Sequence, residues 1–205
     1  MSHLDPGEAR QFSKEDIEDR SNTCRFFGNK CERKEKKNVR IMFNNVNGFG
    51  HSHLSPKSAG IRNLMFHKEV DIMAMAELNV NWSKIRREHT LPRICRKWFQ
   101  TSKTSMAYNQ HERKRRYKHQ PGGTAIVATG AMALRTGKFD NDKRRLGRWS
   151  SLVIQGKNSI KTRIVSVYVP NMTSKHGHKK VVCQQQRALL AMEITDNVFT
   201  IFWKR

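Results

Sequence analysis

The run Val70-Asp71-Ile72-Met73-Ala74-Met75-Ala76 is apolar at nearly every position and stops at Glu77. It is too short to be a helix buried on all sides, and it fits a strand covered on both faces. Such a strand exists only inside a layered structure, so the rest of the chain must cover it from two sides. A second apolar run, Val39-Arg40-Ile41-Met42-Phe43, precedes it and breaks off at Asn44-Asn45-Val46-Asn47-Gly48, a strand entering a Gly-terminated turn. Between the two, Ser55-Pro56 reads as an N-cap with proline at the first helical position. Ile61, Leu64 and Met65 follow at i, i+3, i+4 spacing and predict a helix of about three turns.

Downstream, Pro121-Gly122-Gly123 punctuates the chain before the strand Thr124-Ala125-Ile126-Val127-Ala128. Residues 149–155 and 163–169 read as strands, and Gly156-Lys157-Asn158-Ser159 between them makes a β-hairpin. Residues 83–90 read as helical, 92–99 as basic and aromatic, and 102–119 as a polar loop. Val181, Ala188, Leu189 and Met192 share one face of a helix over 181–192. The order β-α-β, further strands, then a helix gives an α/β (α+β) class: a layered fold with mixed sheets rather than a purely parallel one. Residues 1–37 carry no periodic apolar face and end in the charge run Glu32-Arg33-Lys34-Glu35-Lys36-Lys37. They are expected to be a flexible basic leader, with one domain over 38–205.

Charge bears on the partner. The chain of 205 residues holds 40 Lys and Arg against 17 Asp and Glu, a formal net charge of +23. Such a surface attracts polyanions and retains them by releasing counterions, which makes nucleic acid the expected partner. No apolar run approaches the roughly 20 residues that a membrane-spanning helix needs, and no basic segment is cleanly amphipathic, so no membrane role is expected. Collagen and coiled coil are excluded, because neither a Gly period nor sustained heptads occur. The polar opening gives no secretory signal. Cys24, Cys31, Cys95 and Cys183 form no C-x-x-C, and with His176 and His178 they lack zinc-finger spacing. They read as reduced thiols of an intracellular protein.

The chemistry-bearing residues fall at strand ends. Asn45 and Asn47 close the first strand, Glu77 the second, Tyr168 a later one, and Asn171 lies just beyond. Strand ends of a layered sheet converge on one crevice. A carboxylate with amide oxygens is a hard donor set suited to Mg²⁺ or Mn²⁺. A phenol and an amide orient a phosphate by hydrogen bonding. With the net charge, this points to a metal-assisted phosphodiesterase. The run Arg113-Lys114-Arg115-Arg116-Tyr117-Lys118 admits three readings: a nucleic-acid contact, a nuclear address or a solvated loop.

Taken in order, Asn45-Val46-Asn47-Gly48, then Asp71-Ile72-Met73-Ala74-Met75-Ala76-Glu77, then Tyr168-Val169-Pro170-Asn171 resembles the endonuclease/exonuclease/phosphatase superfamily. The resemblance covers about residues 38–195 and implies a four-layered α/β-sandwich. It implies that Glu77 and Asn47 stand at the metal, and that Asn45, Tyr168 and Asn171 belong to the catalytic set that positions the phosphate. Asn47 takes a slot that is aspartate in many repair enzymes. Gln120-Pro121-Gly122-Gly123-Thr124 and Asp142-Lys143-Arg144-Arg145-Leu146-Gly147-Arg148-Trp149 look like the nuclease domains that accompany reverse transcriptases in retroelements. That likeness implies DNA as substrate and a reverse transcriptase of the same element as partner. Arg113, Lys114, Arg115, Arg116, Lys118 and Arg148 are the expected nucleic-acid contacts. The family's later G-D-x-N and S-D-H motifs do not occur. The sandwich is therefore expected to lack its C-terminal half and to cleave weakly or not at all. The alternatives are a non-catalytic basic binding module and a phosphatase of the same superfamily.

Overall fold

The computed structural model describes residues 33–110 and 119–169, and residues 197–204 as backbone. The helix expected over 181–192 lies outside the described residues, as does nearly all of the expected leader.

Two four-stranded sheets form the frame. The first has the order β1-β2-β4-β3, built from β1 (Ile41–Asn45), β2 (Ile72–Ala76), β4 (Thr124–Thr129) and β3 (Ser102–Ala107). β1 runs parallel to β2, while β4 is antiparallel to both β2 and β3. The second sheet has the order β5-β6-β7-β8: β5 (Thr136–Asn141), β6 (Trp149–Gln155), β7 (Lys161–Val169) and β8 (Asn197–Lys204). The hairpin expected from Gly156-Lys157-Asn158-Ser159 is the antiparallel β6–β7 pair, and β8 adds to β7 in parallel. Both sheets are mixed, as the pattern of elements predicted.

The period of two along β2 and β4 explains how the layers stack. Met73, Met75, Ala125 and Val127 face outward into a core shared with the helices α1 (Pro56–His67) and α2 (Leu91–Trp98). Ile72, Ala74, Ile126 and Ala128 face the other way, against Leu152, Ile154 and Ile164 of the second sheet. The order helix layer, sheet, sheet accounts for three layers among the described residues. Every residue of β2 is buried, and each large side chain there contributes about 1.5–3 kcal/mol by leaving water.

α1 begins as the sequence suggested. Ser55 is the N-cap, with Oγ accepting from the Ser58 N–H at 3.3 Å, and Pro56 opens the first turn. Gly50 is required beside this cap, because a Cβ there would lie 1.6 Å from Ser55 Oγ. Residues 83–90 hold two short 3₁₀ turns, Trp82–Lys84 and Arg87–His89, in place of the expected helix. The basic-aromatic stretch is α2, with Leu91, Ile94 and Cys95 buried at i, i+3, i+4. The expected loop over 102–119 contains the edge strand β3, in which Lys103 alone is exposed and Ser105 and Ala107 are buried. A short helix, α3 (Gly130–Arg135), and β5 were not evident in the sequence. Lys34, in the charge run, grips both carboxylate oxygens of Asp71 at 2.8 Å. No described helix is long and apolar enough to cross a membrane.

Candidate functional site

The described site residues are linked at one end of the two sheets. Parallel pairing of β1 with β2 sets Asn45 opposite Ala76, next to Glu77. The pairing continues past the strands, with Gly48 N–H donating to Glu77 O at 2.7 Å and Phe49 N–H to Leu78 O at 2.8 Å. Asn45 Oδ1 accepts from Asn47 N–H at 3.1 Å, an Asx turn that directs the chain into left-handed Asn47 and Gly48. Lys57, near the start of α1, donates to Asn47 O at 2.6 Å and fixes the outer side of the turn.

Glu77 is the unusual member. Its φ is +55°, a left-handed conformation that glycine and asparagine favour and glutamate does not. Its side chain is 3% exposed. Oε1 is buried with no hydrogen-bond partner. Backbone strain and an unsatisfied buried oxygen at one residue are the combination that functional sites retain.

The second sheet reaches this point through a glycine bridge. Asn79, also left-handed, exchanges bonds with the Pro121-Gly122-Gly123 turn: Asn79 N–H to Gly122 O at 2.7 Å and Gly122 N–H to Asn79 Oδ1 at 2.8 Å. Gly122 is in contact with the Tyr168 ring, since a Cβ there would lie 3.3 Å from Cε1. Tyr168 N–H donates to Arg148 O at 2.7 Å, and the Arg148 guanidinium lies 5.7 Å from the centre of the Tyr168 ring. Arg148 is half-buried, with Nε buried and unpartnered. Burial pushes its pKa down, against smaller opposing contributions from Tyr168 and Asp142.

The 142–149 stretch owes its shape to Asp142. Its carboxylate accepts from the N–H groups of Arg144, Leu146 and Arg148 at 3.0, 3.1 and 3.0 Å. Gly147 lies so close to the backbone of Tyr108 and Asn109 that a Cβ would meet it at 2.7 Å. Gly123 N–H donates to Gly147 O at 3.2 Å, so the two stretches that look retroelement-like are in contact.

The expected residues thus divide. Asn45, Asn47 and Glu77 share one pair of strand ends. Tyr168 and Arg148 share the other, and Asn79 with Gly122 and Gly123 joins them. Arg148 is half-buried over the Tyr168 ring. Asn171 and the run Arg113, Lys114, Arg115, Arg116 and Lys118 lie outside the described residues. Sequence reasoning passed over Asn79 and three hydroxyl residues, Thr124, Ser150 and Ser166. Ser166 Oγ donates to Met75 O at 3.0 Å and ties the second sheet to β2 just below Glu77. Thr124 and Ser150 are fully buried with unpartnered hydroxyls. Their signal was present: Thr124-x-Ile126-x-Ala128, Ser150-x-Leu152-x-Ile154 and Ile164-x-Ser166-x-Tyr168 each turn polar at the site end of an inward-facing row.

The side-chain oxygens that this pair of strand ends carries are one carboxylate with an orphaned oxygen and the Asn45 and Asn47 amides. That set fits a hard divalent ion, which takes one or two carboxylates and keeps much of its water. Among the described residues no three His, Cys, Asp or Glu side chains cluster as a closed metal cage. Cys95 is a buried free thiol away from these donors, in the helix-side core.

No family model matches the sequence, and no curated protein does. Solved structures do. An endonuclease/exonuclease/phosphatase family protein from Leptotrichia buccalis C-1013-b aligns with a TM-score of 0.53 at 14% identity, covering 80% of this chain and 66% of that one. An AP endonuclease from Archaeoglobus fulgidus aligns at 0.46 and 13% identity, covering 74% and 49%. TDP2 of D. rerio, complexed with a single-strand DNA product, aligns at 0.47 and 11% identity, covering 79% and 58%. The chain spans less than two thirds of the length of each of these structures.

Proposed function

Because the chain has the fold of the endonuclease/exonuclease/phosphatase superfamily, we propose that it is a nuclease-like domain that brings a DNA phosphodiester to the Glu77 strand end. The observation that carries this reading is the buried, unpartnered Oε1 of strained Glu77 beside Asn45. A carboxylate left unsatisfied in a rigid, strained setting is poised to bind a cation.

A Mg²⁺ or Mn²⁺ ion held by Glu77 with the Asn45 and Asn47 amides would supply Lewis-acid stabilisation of the phosphate. The protein's own groups do the positioning. Arg148, half-desolvated over Tyr168, presents a guanidinium whose fork matches a phosphate oxygen pair. Tyr168 and, in this reading, Asn171 orient the same phosphate by hydrogen bonding. Gly122 lets the turn approach the Tyr168 ring where any side chain would crowd it. The net charge of +23 favours a long polyanion over a small phosphate ester.

Weak turnover is part of the proposal. Glu77 and Asp142 are the two buried carboxylates among the described residues, and Asp142 is saturated by backbone N–H groups. Neither is left to take a proton from attacking water, and losing such a base costs about 10²- to 10⁴-fold. The retroelement affiliation, and with it a reverse-transcriptase partner, rests on the 120–124 and 142–149 stretches.

The test is supercoiled plasmid with Mg²⁺, beside EDTA and Glu77→Ala. Slow nicking that disappears in both controls is the expected result. Plasmid retarded on the gel but never nicked would replace the nuclease reading with that of a non-catalytic binder.

A further inference from the structure

Arg93, Arg96 and Lys97 recur at i, i+3 and i+4 on α2, so they project from the side opposite Leu91, Ile94 and Cys95. With Arg87 and Glu88 from the preceding turn they line a surface cleft of about 420 Å³. All five side chains are exposed. None joins a hydrogen bond or ion pair among the described residues. Four cations therefore face a single carboxylate, and like charges at helical spacing repel. An anion relieves that repulsion. Three guanidiniums supply the forked donors that bind phosphate oxygens in pairs.

The cleft shares its support with the candidate site. Phe49, hydrogen-bonded beside the Asn47–Gly48 turn, packs its ring 6.1 Å from Trp82 and 6.2 Å from Trp98, the last residue of α2. One aromatic cluster thus carries both the turn at the site and the helix that bears the cations.

We infer that this cleft holds backbone phosphates of the nucleic acid flanking the scissile bond. The inference rests on the reading that DNA is the substrate, and its test measures binding without chemistry. The full chain is titrated with a short fluorescein-labelled DNA duplex in EDTA across a KCl series. Two fourfold variants are compared, each removing the same charge from exposed positions. One is Arg87→Gln, Arg93→Gln, Arg96→Gln, Lys97→Gln. The other is Lys138→Gln, Lys143→Gln, Lys157→Gln, Lys161→Gln, on the strands of the second sheet and the turns between them. The cleft variant is expected to flatten the slope of log K against log salt by about 0.9 for each phosphate lost, so about 2 to 3.5 in all. The second variant is expected to change it by less than about 1. Equal effects, or none in either, overturn the inference. Melting curves check that both variants fold. If the cleft variant does not, Arg93→Gln and Arg96→Gln made singly are each expected to flatten the slope by about 0.9, and no flattening in either overturns it. Nicking by the parent protein without a cleft effect would refute this inference alone; a cleft effect without nicking would refute the catalytic reading alone.

Discussion

The loop around Asp142 and the strand end at Glu77 each bury an acid, at 8% and 3% exposure. Asp142 accepts from three backbone N–H groups within the six residues that follow it. Its charge is spent locally, on holding a loop whose Gly147 touches neighbouring backbone. Glu77 has an equally buried position, a left-handed backbone and an oxygen with no partner. Burial therefore does not separate the acid that holds a loop from the one proposed to bind a metal ion. Satisfaction does: a satisfied carboxylate stabilises the fold, and an unsatisfied one is held ready at a cost.

The sharpest way to break the comparison is to remove each acid and read binding and stability together. Glu77→Ala is expected to reduce nicking to background. It should weaken Mn²⁺ binding, followed by electron paramagnetic resonance, by about 10- to 100-fold or more. Unchanged Mn²⁺ affinity would remove Glu77 from the proposed metal site. Asp142→Ala should instead cost about 2–4 kcal/mol in urea denaturation, since three N–H groups lose a charged acceptor together. A loss under about 0.5 kcal/mol, the range of ordinary surface changes, would mean that the loop is held by something else.

Cys95 extends the comparison to a third buried acid, satisfied by staying protonated. Burial pushes its thiol from 9.0 up to about 12, against a smaller opposing hydrogen bond from Thr104. The folded form keeps the proton that the unfolded chain releases. The stabilisation is complete below pH 9 and disappears as pH climbs toward 12, by about 1.4 kcal/mol per pH unit. Cys95→Ala should remove that part of the slope when melts of the two proteins are compared across this window. Parallel pH profiles would contradict it. The smallest expected effect is that of Glu77→Gln on stability, within about 1 kcal/mol of the parent. The change keeps the shape and gives up no existing partner. A loss well beyond that would make Glu77 as structural as Asp142.

Much of the frame was legible because its signals are local. β1, α1, β2, β4 and the β6–β7 hairpin each show an apolar period, a cap or a turn within a few residues. The elements that were missed are those whose reasons lie elsewhere in the chain. β3, Ser-Lys-Thr-Ser-Met-Ala, reads as polar loop, yet pairs residue for residue with β4 from Ser102↔Thr129 to Ala107↔Thr124. An edge strand needs only one good neighbour and tolerates a polar face. β5 also lies at a sheet edge and carries a register shift between Thr136 and Phe139. α2 had its apolar spacing, but the basic residues and Pro92 obscured it.

The site divides along the same line. The residue types at Asn45, Asn47, Glu77 and Tyr168, and their places at the ends of apolar runs, are properties of the sequence. So are the net charge and the left-handed preference of Asn47-Gly48. The sequence does not contain the pairing that carries Gly48 to Glu77, the close approach of Gly122 to the Tyr168 ring, or the hydrogen bond from Ser166 to Met75 across the sheets. Local preference operates over a turn or a strand, and a one-dimensional pattern records it. Asp142 finds its three partners within the next six residues, whereas whether a buried oxygen at a strand end finds one depends on groups brought together across the interface of two sheets, and tertiary packing left Glu77 Oε1 without one.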